Sequence, residues 1–228
     1  MAFGGIIREV ASPTADPAGI GGDYAKIWYC DDTLDEVYEL STSDFSDIRS
    51  RASPSASPFG IGGDANTIWH CDSGIDKVYE LKTSDLSKIR EVAGPSTSSY
   101  GIGGDVSTIW HCDGNTVKVY ELSTSDLSDI REAASPSTYP FGIGGDANTI
   151  WHCDIVSDKV YELSTSDFSD IREAASPAAS PYGIGGDANT IWHCDTTADK
   201  VYELDVAVVR LENKSANMAA KMIAGGLL

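Results

Sequence analysis

The sequence has few basic residues, no long apolar run and no recognisable leader. Sixteen Lys and Arg stand against 35 Asp and Glu in 228 residues, which gives a formal net charge of −19. This argues against nucleic acid and anionic membranes as partners, because neutralising phosphates needs clustered Lys and Arg. No apolar stretch approaches the about 20 residues that span a bilayer, and residues 1–8 lack the regions of a signal peptide. We therefore expect a cytoplasmic, intracellular protein without a membrane span.

Cysteine is also scarce, and the five that are present form an odd set. All five occupy the same local context, so they belong to equivalent places in separate structural units: Cys30, Cys71, Cys112, Cys153 and Cys194. Equivalent sites in separate units are not expected within the ~7 Å that a disulfide requires. We predict reduced, buried core residues rather than metal or redox ligands, and no cofactor.

What the sequence does contain is a repeat with a period of 41 residues. The string GIGGDANTIWHCD begins unchanged at Gly60, Gly142 and Gly183. Five copies are present, and their tryptophans mark the period: Trp28, Trp69, Trp110, Trp151 and Trp192.

One copy contains four short β-like segments separated by turn signals. We name them strands A (141–145), B (149–153), C (159–163) and D (around 170–174). A tight turn joins A to B, a loop joins B to C, and a Ser-Thr-Ser-Asp turn joins C to D. A proline-containing connection leads from D to the next copy.

Four strands every 41 residues match one blade of a β-propeller. No copy has the 3.6-residue apolar rhythm of a helical solenoid. The sequence therefore predicts an all-β, five-bladed β-propeller with four-stranded antiparallel blades. The pattern P-F-G-I-x-x-D, then I-W-H-C-D, then D-K-V-Y-E-L, resembles the blade of NHL-type and related propellers. That resemblance covers about 205 residues and implies the architecture, not a ligand.

The first segment of the chain supplies the strand that the last copy lacks. Residues 7–13 nearly repeat residues 89–95, a strand D, so residues 1–205 make five complete blades and the N-terminal strand, 5–11, closes the ring. In the alternative, residues 206–211 complete the last blade and free the N-terminal strand to pair with another chain. We expect a monomer, with the strand-exchanged oligomer as the alternative.

The C-terminal tail, residues 206–228, breaks the repeat. Its apolar residues can fall on one face of a helix, so we predict a short helical tail that either docks on its own propeller or serves as a tether. Residues 1–205 hold 34 acids and 13 bases, a balance of −21, while the tail holds one acid and three bases, a balance of +2. Because the acidity recurs in every copy, duplication and solubility explain it better than selection for a cationic ligand does.

Two recurring residue types are weak candidates for a ligand site. An aspartate at the A-to-B turn could form an axial ring for a hydrated cation, or simply cap its turn. The tryptophans could stack sugars at blade junctions, or simply fill the space between blades. His152 and Cys153 point to opposite sides of a strand and cannot share a metal ion. The aspartates are Asp23, Asp64, Asp105, Asp146 and Asp187.

Symmetry argues against an enzyme, because catalysis needs unlike groups in unlike roles and five near-copies offer the same groups five times. Differences between copies gather in the B-to-C loops and D-to-A connections, as expected of a binding surface or of drifting loops. We predict a non-catalytic binding or assembly scaffold, built by recent blade duplication, for a protein or glycan partner. The alternatives are a lectin with one site per blade junction, and a hydrolase or lyase of an NHL-like group.

Overall fold

The structure, a computed structural model, describes residues 2–206. In that range twenty strands form five separate four-stranded antiparallel sheets. The five-bladed, all-β propeller predicted from the 41-residue repeat is confirmed. The predicted helical tail lies outside the described residues from position 207 onward. Within residues 2–206 there is no helix of the length and apolarity that crossing a membrane requires.

The strands follow the sequence copies closely, and each blade runs from an inner strand A to an outer strand D. The N-terminal strand is β1 (Ile6–Ala11). Blade one contains β2 (Pro17–Gly22), β3 (Ile27–Asp31), β4 (Glu36–Leu40) and β5 (Asp47–Ala52). Blade two contains β6 (Pro58–Gly63), β7 (Ile68–Asp72), β8 (Lys77–Leu81) and β9 (Lys88–Ala93). Blade three contains β10 (Ser99–Gly104), β11 (Ile109–Asp113), β12 (Lys118–Leu122) and β13 (Asp129–Ala134). Blade four contains β14 (Pro140–Gly145), β15 (Ile150–Asp154), β16 (Lys159–Leu163) and β17 (Asp170–Ala175). Blade five contains β18 (Pro181–Gly186), β19 (Ile191–Asp195), β20 (Lys200–Leu204) and, as its outer strand, β1.

The inner strands meet around the axis through glycine. A Cβ atom placed on Gly144 would lie 2.9 Å from the Cα of Gly185 and 3.2 Å from the carbonyl oxygen of Ile184. All five copies carry glycine at this position, so the inner strands approach more closely than any side chain allows. The axis is therefore closed by backbone rather than left as a wide channel.

The core lies between blades, because residues in strand B alternate between the two neighbours. In blade one, Trp28 and Cys30 pack with Ile61 and Tyr79 of blade two. On the opposite side of the same strand, Tyr29 packs against Trp192 of blade five. The same arrangement recurs at the other junctions, so five similar apolar clusters hold the ring together.

The chain closes as a ring when β1 pairs with β20. The register runs antiparallel from Ile6 opposite Leu204 to Ala11 opposite Lys200. This confirms the closure predicted from the repeat, and β1 occupies the edge that the alternative assigned to residues 206–211. The closing strand also has the bulge that the other outer strands have beside the C-to-D turn.

The propeller has two dissimilar faces. The upper face, as we name it, carries the B-to-C loops and D-to-A connections, and the lower face carries the A-to-B and C-to-D turns. Strand A is the innermost strand and begins at the upper face. The second residue of each strand A therefore lies near the axis on that face. This placement determines which side chains surround the upper end of the axis.

Candidate functional site

The five repeated aspartates lie in the A-to-B turns of the lower face. Asp64 illustrates the set: its Oδ1 accepts hydrogen bonds from the backbone amides of Asn66 at 2.7 Å and Thr67 at 2.8 Å. These bonds are the turn-capping role that the sequence also allowed. Within residues 2–206 no group of three or more His, Cys, Asp or Glu side chains is placed to hold a metal ion. The structure therefore does not bring these aspartates together as a cation site.

The five tryptophans are enclosed between blades, with 0 to 2% of each residue exposed. The indole Nε1 of Trp28 donates to the carbonyl oxygen of Asp64 in the next blade at 3.0 Å, and Trp192 donates in the same way to Asp23 across the closing junction. Neither the ring faces nor the N–H groups are left for a sugar. These side chains join neighbouring blades.

Histidine and cysteine in strand B are also buried. The Nδ1 of His152 lies 2.8 Å from the carbonyl oxygen of Gly142, and its Nε2 lies 3.2 Å from the hydroxyl of Ser135. Burial lowers the pKa of His152 to about 4, so the ring is neutral at pH 7. Burial raises the pKa of the Cys153 thiol well above its ordinary value. Neither group is available as a surface base, nucleophile or metal ligand.

Blade three departs from this pattern at one point. The serine that would face the Nε2 of His111 is replaced by Gly94, so this nitrogen lacks a hydrogen-bond partner, as does the hydroxyl of Ser99. His111 and Ser99 are completely buried. The lost hydrogen bond therefore makes this junction less well satisfied than the others.

The most distinctive feature of the upper face is a group of four aromatic rings at the axis, which we call the aromatic cap: Phe59, Tyr100, Phe141 and Tyr182. The centroids of Tyr100 and Phe141 are 4.5 Å apart, as are those of Phe141 and Tyr182. Phe59 contacts Tyr182 at 5.6 Å, across the blade in which Ala18 stands in place of a ring. These separations are typical of aromatic pairs in contact. This cluster was not predicted from the sequence, although an aromatic residue before Gly-Ile in four of the five copies was a visible signal.

Little space remains beneath the aromatic cap. The cavity at the upper end of the axis has a volume of about 10 Å³ and is lined by the aromatic rings and by the Gly-Ile backbone of the inner strands. That volume holds about one water molecule. A ligand of any size must therefore bind on top of the rings or on the surrounding loops.

The loops of the upper face are fixed by an aspartate at the end of strand B. In blade two, Asp72 Oδ2 accepts from the amide of Ser57 at 2.8 Å, and its Oδ1 accepts from the amides of Gly74 and Ile75. The equivalent Asp154 has two opposed influences on its pKa: burial raises it, while hydrogen bonds from surrounding amides and hydroxyls lower it, and the lowering prevails. Each D-to-A connection is thus tied to the B-to-C loop of the next blade.

The comparison with known proteins identifies the architecture. No protein-family model matches the sequence, and no curated protein matches it. Among solved structures, the chain is similar to the glutaminyl cyclase of Myxococcus xanthus, with 12% identity, a TM-score of 0.72, and coverage of 88% of this chain and 95% of that one.

Two further similar structures illustrate how widely the fold is used. The virginiamycin B lyase of Staphylococcus aureus is 20% identical, with a TM-score of 0.51 and coverage of 86% of this chain and 68% of that one. A structure of a nidogen/laminin complex gives 17% identity, a TM-score of 0.62, and coverage of 85% and 78%. Identities this low establish the fold and not an activity. The chain is a five-bladed β-propeller that resembles NHL-type and related propellers.

Proposed function

We propose that this protein is a non-catalytic binding scaffold and that its upper face is the binding surface. The observation that carries the proposal is the aromatic cap, a cluster of rings at the centre of the face whose loops differ most between copies. Aromatic residues are enriched where proteins bind partners. Around the cap the B-to-C loops expose Leu34 by 55%, Ile75 by 56% and Val156 by 65%. An apolar surface of this kind, surrounded by polar loops, is typical of an interaction site.

Burial of the reactive side chains supports a non-catalytic role. A general base near neutral pH needs an accessible group with a suitable pKa. The histidines have pKa values lowered to about 4, and the cysteine thiols have raised ones. A catalytically inactive histidine-to-alanine variant of the similar virginiamycin B lyase has been solved with quinupristin. All four histidines of the present chain are fully enclosed in blade junctions, where no substrate reaches them.

Glycan binding at the blade junctions, the second function considered from the sequence, lacks this support. It was based on the tryptophans, and each of these is buried between blades. The aromatic cap is a single central cluster, so the geometry favours one partner on the axis over five separate sugars.

The proposal can be tested by comparing variants of the two faces in the full chain. Tyr182→Ala removes a half-buried ring of the aromatic cap, and Tyr24→Ala removes a ring that is 74% exposed on the lower face. Proteins of a cell extract that cross-link to the wild type should no longer cross-link to the Tyr182→Ala variant. They should still cross-link to the Tyr24→Ala variant. Equal loss from both variants would contradict an upper-face site, and turnover of glutaminyl peptides, esters, lactones or quinupristin would contradict a non-catalytic role.

A further inference from the structure

Blade one differs from the other blades in the charge of its upper face. Blade one is acidic at five positions that can be compared between blades. One lies in the D-to-A connection, one ends strand B, two lie in the B-to-C loop, and one begins strand C. They are Asp16, Asp31, Asp32, Asp35 and Glu36. In blade two the same positions carry Ser57, Asp72, Ser73, Asp76 and Lys77. These five positions therefore sum to −5 in blade one and to −1 in blade two, and to 0 or −1 in the remaining three blades.

The largest single change is the replacement of a lysine by Glu36. In blade two, Lys77 forms an ion pair with Glu91 on the neighbouring outer strand, and the other lysine-bearing blades repeat this pair. In blade one both partners differ, because Ser50 stands where the glutamate would be. Glu36 instead accepts a hydrogen bond from the hydroxyl of Tyr38 at 2.7 Å. Its charge is thus not balanced by the cation that the other blades place there.

The acidic residues of blade one lie close to one another and to the aromatic cap. The amide of Asp16 donates to Asp31 Oδ2 at 3.3 Å, the hydroxyl of Thr33 donates to Asp16 Oδ2 at 2.7 Å, and Asp16 is two residues before Ala18. The pKa of Asp32 is raised, first by burial and then by repulsion from Asp16, Asp35 and Asp31. The pKa of Tyr182 is likewise raised, first by burial and then by the negative charges of Asp16 and Asp32. Carboxylates that act on Tyr182 in this way border the cap on the side where Ala18 replaces a ring.

An apolar side chain stands in the middle of this acidic loop. Leu34 is 55% exposed and lies between Asp32 and Asp35 in the sequence. The loop is held in place, since Asp31 accepts a hydrogen bond from the amide of Leu34 at 2.6 Å. Tyr182 and Leu34 are thus apolar contact points on the blade-one side of the upper face, with uncompensated negative charge around them.

On this basis, and resting on the proposed binding function of the upper face, we propose that the partner is a basic peptide segment that docks over blade one and the adjoining rim of the aromatic cap. An apolar side chain of the segment packs against Tyr182 and Leu34, while its Lys or Arg side chains approach Asp16, Asp32 and Glu36. The general acidity of the protein recurs in every copy and carries no information about a partner. The excess on blade one does not recur, and charge complementarity of this kind steers a partner to one orientation.

The test uses fluorescein-labelled nine-residue peptides and the full chain, with anisotropy as the measurement. One peptide repeats Arg-Leu-Lys three times and the other repeats Glu-Leu-Asp three times. The key variant combines Asp16→Ser, Asp32→Ser and Glu36→Lys, which gives blade one the residues of blade two and changes the net charge by +4. The matched control combines Asp126→Lys and Asp167→Lys in exposed lower-face turns, which also changes the net charge by +4. Circular dichroism verifies that both variants are folded.

We expect the basic peptide to bind the wild type, to bind the blade-one variant about tenfold more weakly, and to bind the lower-face control within about twofold of the wild type. Binding should weaken between about 50 and 300 mM NaCl because the charges are near the surface. Equal weakening in both variants means that only net charge matters and overturns the inference.

Two further outcomes separate this inference from the proposed function. If the acidic peptide binds and Tyr182→Ala abolishes its binding, the upper face is a binding surface but the inference of a basic partner is wrong. If the full chain binds neither peptide and a chain ending at residue 206 binds the basic one, the segment 207–228 occupies the face and an external partner is overturned. Failure of both chains to bind either peptide also overturns the inference, and the cross-linking experiment then tests the binding function independently.

Discussion

Gly4 donates its backbone N–H to the carbonyl oxygen of Asp205 at 2.9 Å, and the amide of Asp205 donates to the carbonyl of Gly5 at 2.8 Å. The same pair of bonds holds the C-to-D turn of blade one, between Ser41 and the residues Phe45 and Ser46. The two ends of the described chain thus reconstruct a turn as well as a strand. Gly4 has a φ of +72°, matching the left-handed conformation of Phe45 at +60°.

Removal of the Phe3 ring should weaken the junction between blades four and five. Since Gly4 has no side chain, Phe3 fills the space, stacking on Trp151 at 5.9 Å and lying 4.3 Å from the guanidinium carbon of Arg172. We expect Phe3→Ala to lower the free energy of unfolding by about 1 to 3 kcal/mol, as measured by urea denaturation. Phe168→Ala, at the equivalent buried ring that packs on Trp110 between blades three and four, away from β1, should cost about 3 to 5 kcal/mol. An unchanged midpoint for Phe3→Ala would show that the N-terminal residues are not docked.

Restoring the missing hydrogen bond in blade three should stabilise the protein. Gly94→Ser supplies the hydroxyl that faces histidine in blades two, four and five, but its Cβ would lie 2.6 Å from the hydroxyl of Ser99. The double variant Gly94→Ser with Ser99→Pro reproduces the other blades, and we expect it to gain about 1 kcal/mol in urea denaturation.

Two single variants control the blade-three prediction. Gly94→Ser alone should gain less than the double variant, because Ser99 remains in its way. The reverse change in blade four, Ser135→Gly, should cost about 1 to 2 kcal/mol by leaving the Nε2 of His152 without its partner. A double variant no more stable than the wild type would contradict the argument.

Stability should fall steeply as the pH decreases from 6.5 towards 4. The four histidines have an ordinary pKa of 6.5, and burial lowers it to about 4 in the folded protein. The unfolded chain therefore binds more protons in this window, so the stability is fully present above pH 6.5 and is lost as the pH approaches 4. Each histidine contributes a slope of about 1.4 kcal/mol per pH unit between its two pKa values.

Urea midpoints measured across this pH range test the histidine contribution. The variant His152→Tyr, which introduces the residue found at Tyr29 of blade one, should reduce the slope by about one proton. A slope unchanged by this substitution would mean that the histidines titrate alike in the folded and unfolded states.

A methyl group at the axis should not be tolerated. Gly144→Ala places a Cβ 2.9 Å from a backbone atom of the next inner strand, and the strands cannot separate without disturbing every junction. We expect a loss of about 1 to 3 kcal/mol in thermal or urea unfolding. The control is Ala147→Val in the exposed A-to-B turn of the same blade, where blade three carries the exposed Val106, and it should change stability by less than about 0.5 kcal/mol. Equal effects at both positions would contradict close packing at the axis.

The repeat was sufficient to predict the fold because its information is redundant. Five copies of Trp, Tyr and Gly at a fixed spacing define the blade, and residues 7–13 identified the closing strand by their likeness to another strand D. The roles of Gly4 and Phe3 were not visible in the sequence. In the other copies one residue, such as Phe45, has both the left-handed backbone and the buried side chain, whereas in the closing turn Gly4 has the backbone conformation and Phe3 provides the ring.

The aromatic cap was harder to predict than the blades. Phe59 and Tyr182 are 123 residues apart, and nothing local indicates that their rings meet at 5.6 Å. Contact at the axis depends on how closely the inner strands approach, which follows from the glycines only once the ring is built. The charge excess of blade one was present in the sequence but had no meaning before the loops were placed on one face.

The pairing of β1 with β20 has a kinetic consequence. Arg8 and Glu203, which form a hydrogen-bonded ion pair at 2.5 Å, are separated by 195 positions in the chain. During synthesis β1 must therefore wait for its partner until β20 has emerged, and closing so long a loop is slow. Four blades can form in order from local hairpins, whereas the fifth is completed only when two strands made nearly 200 residues apart come together.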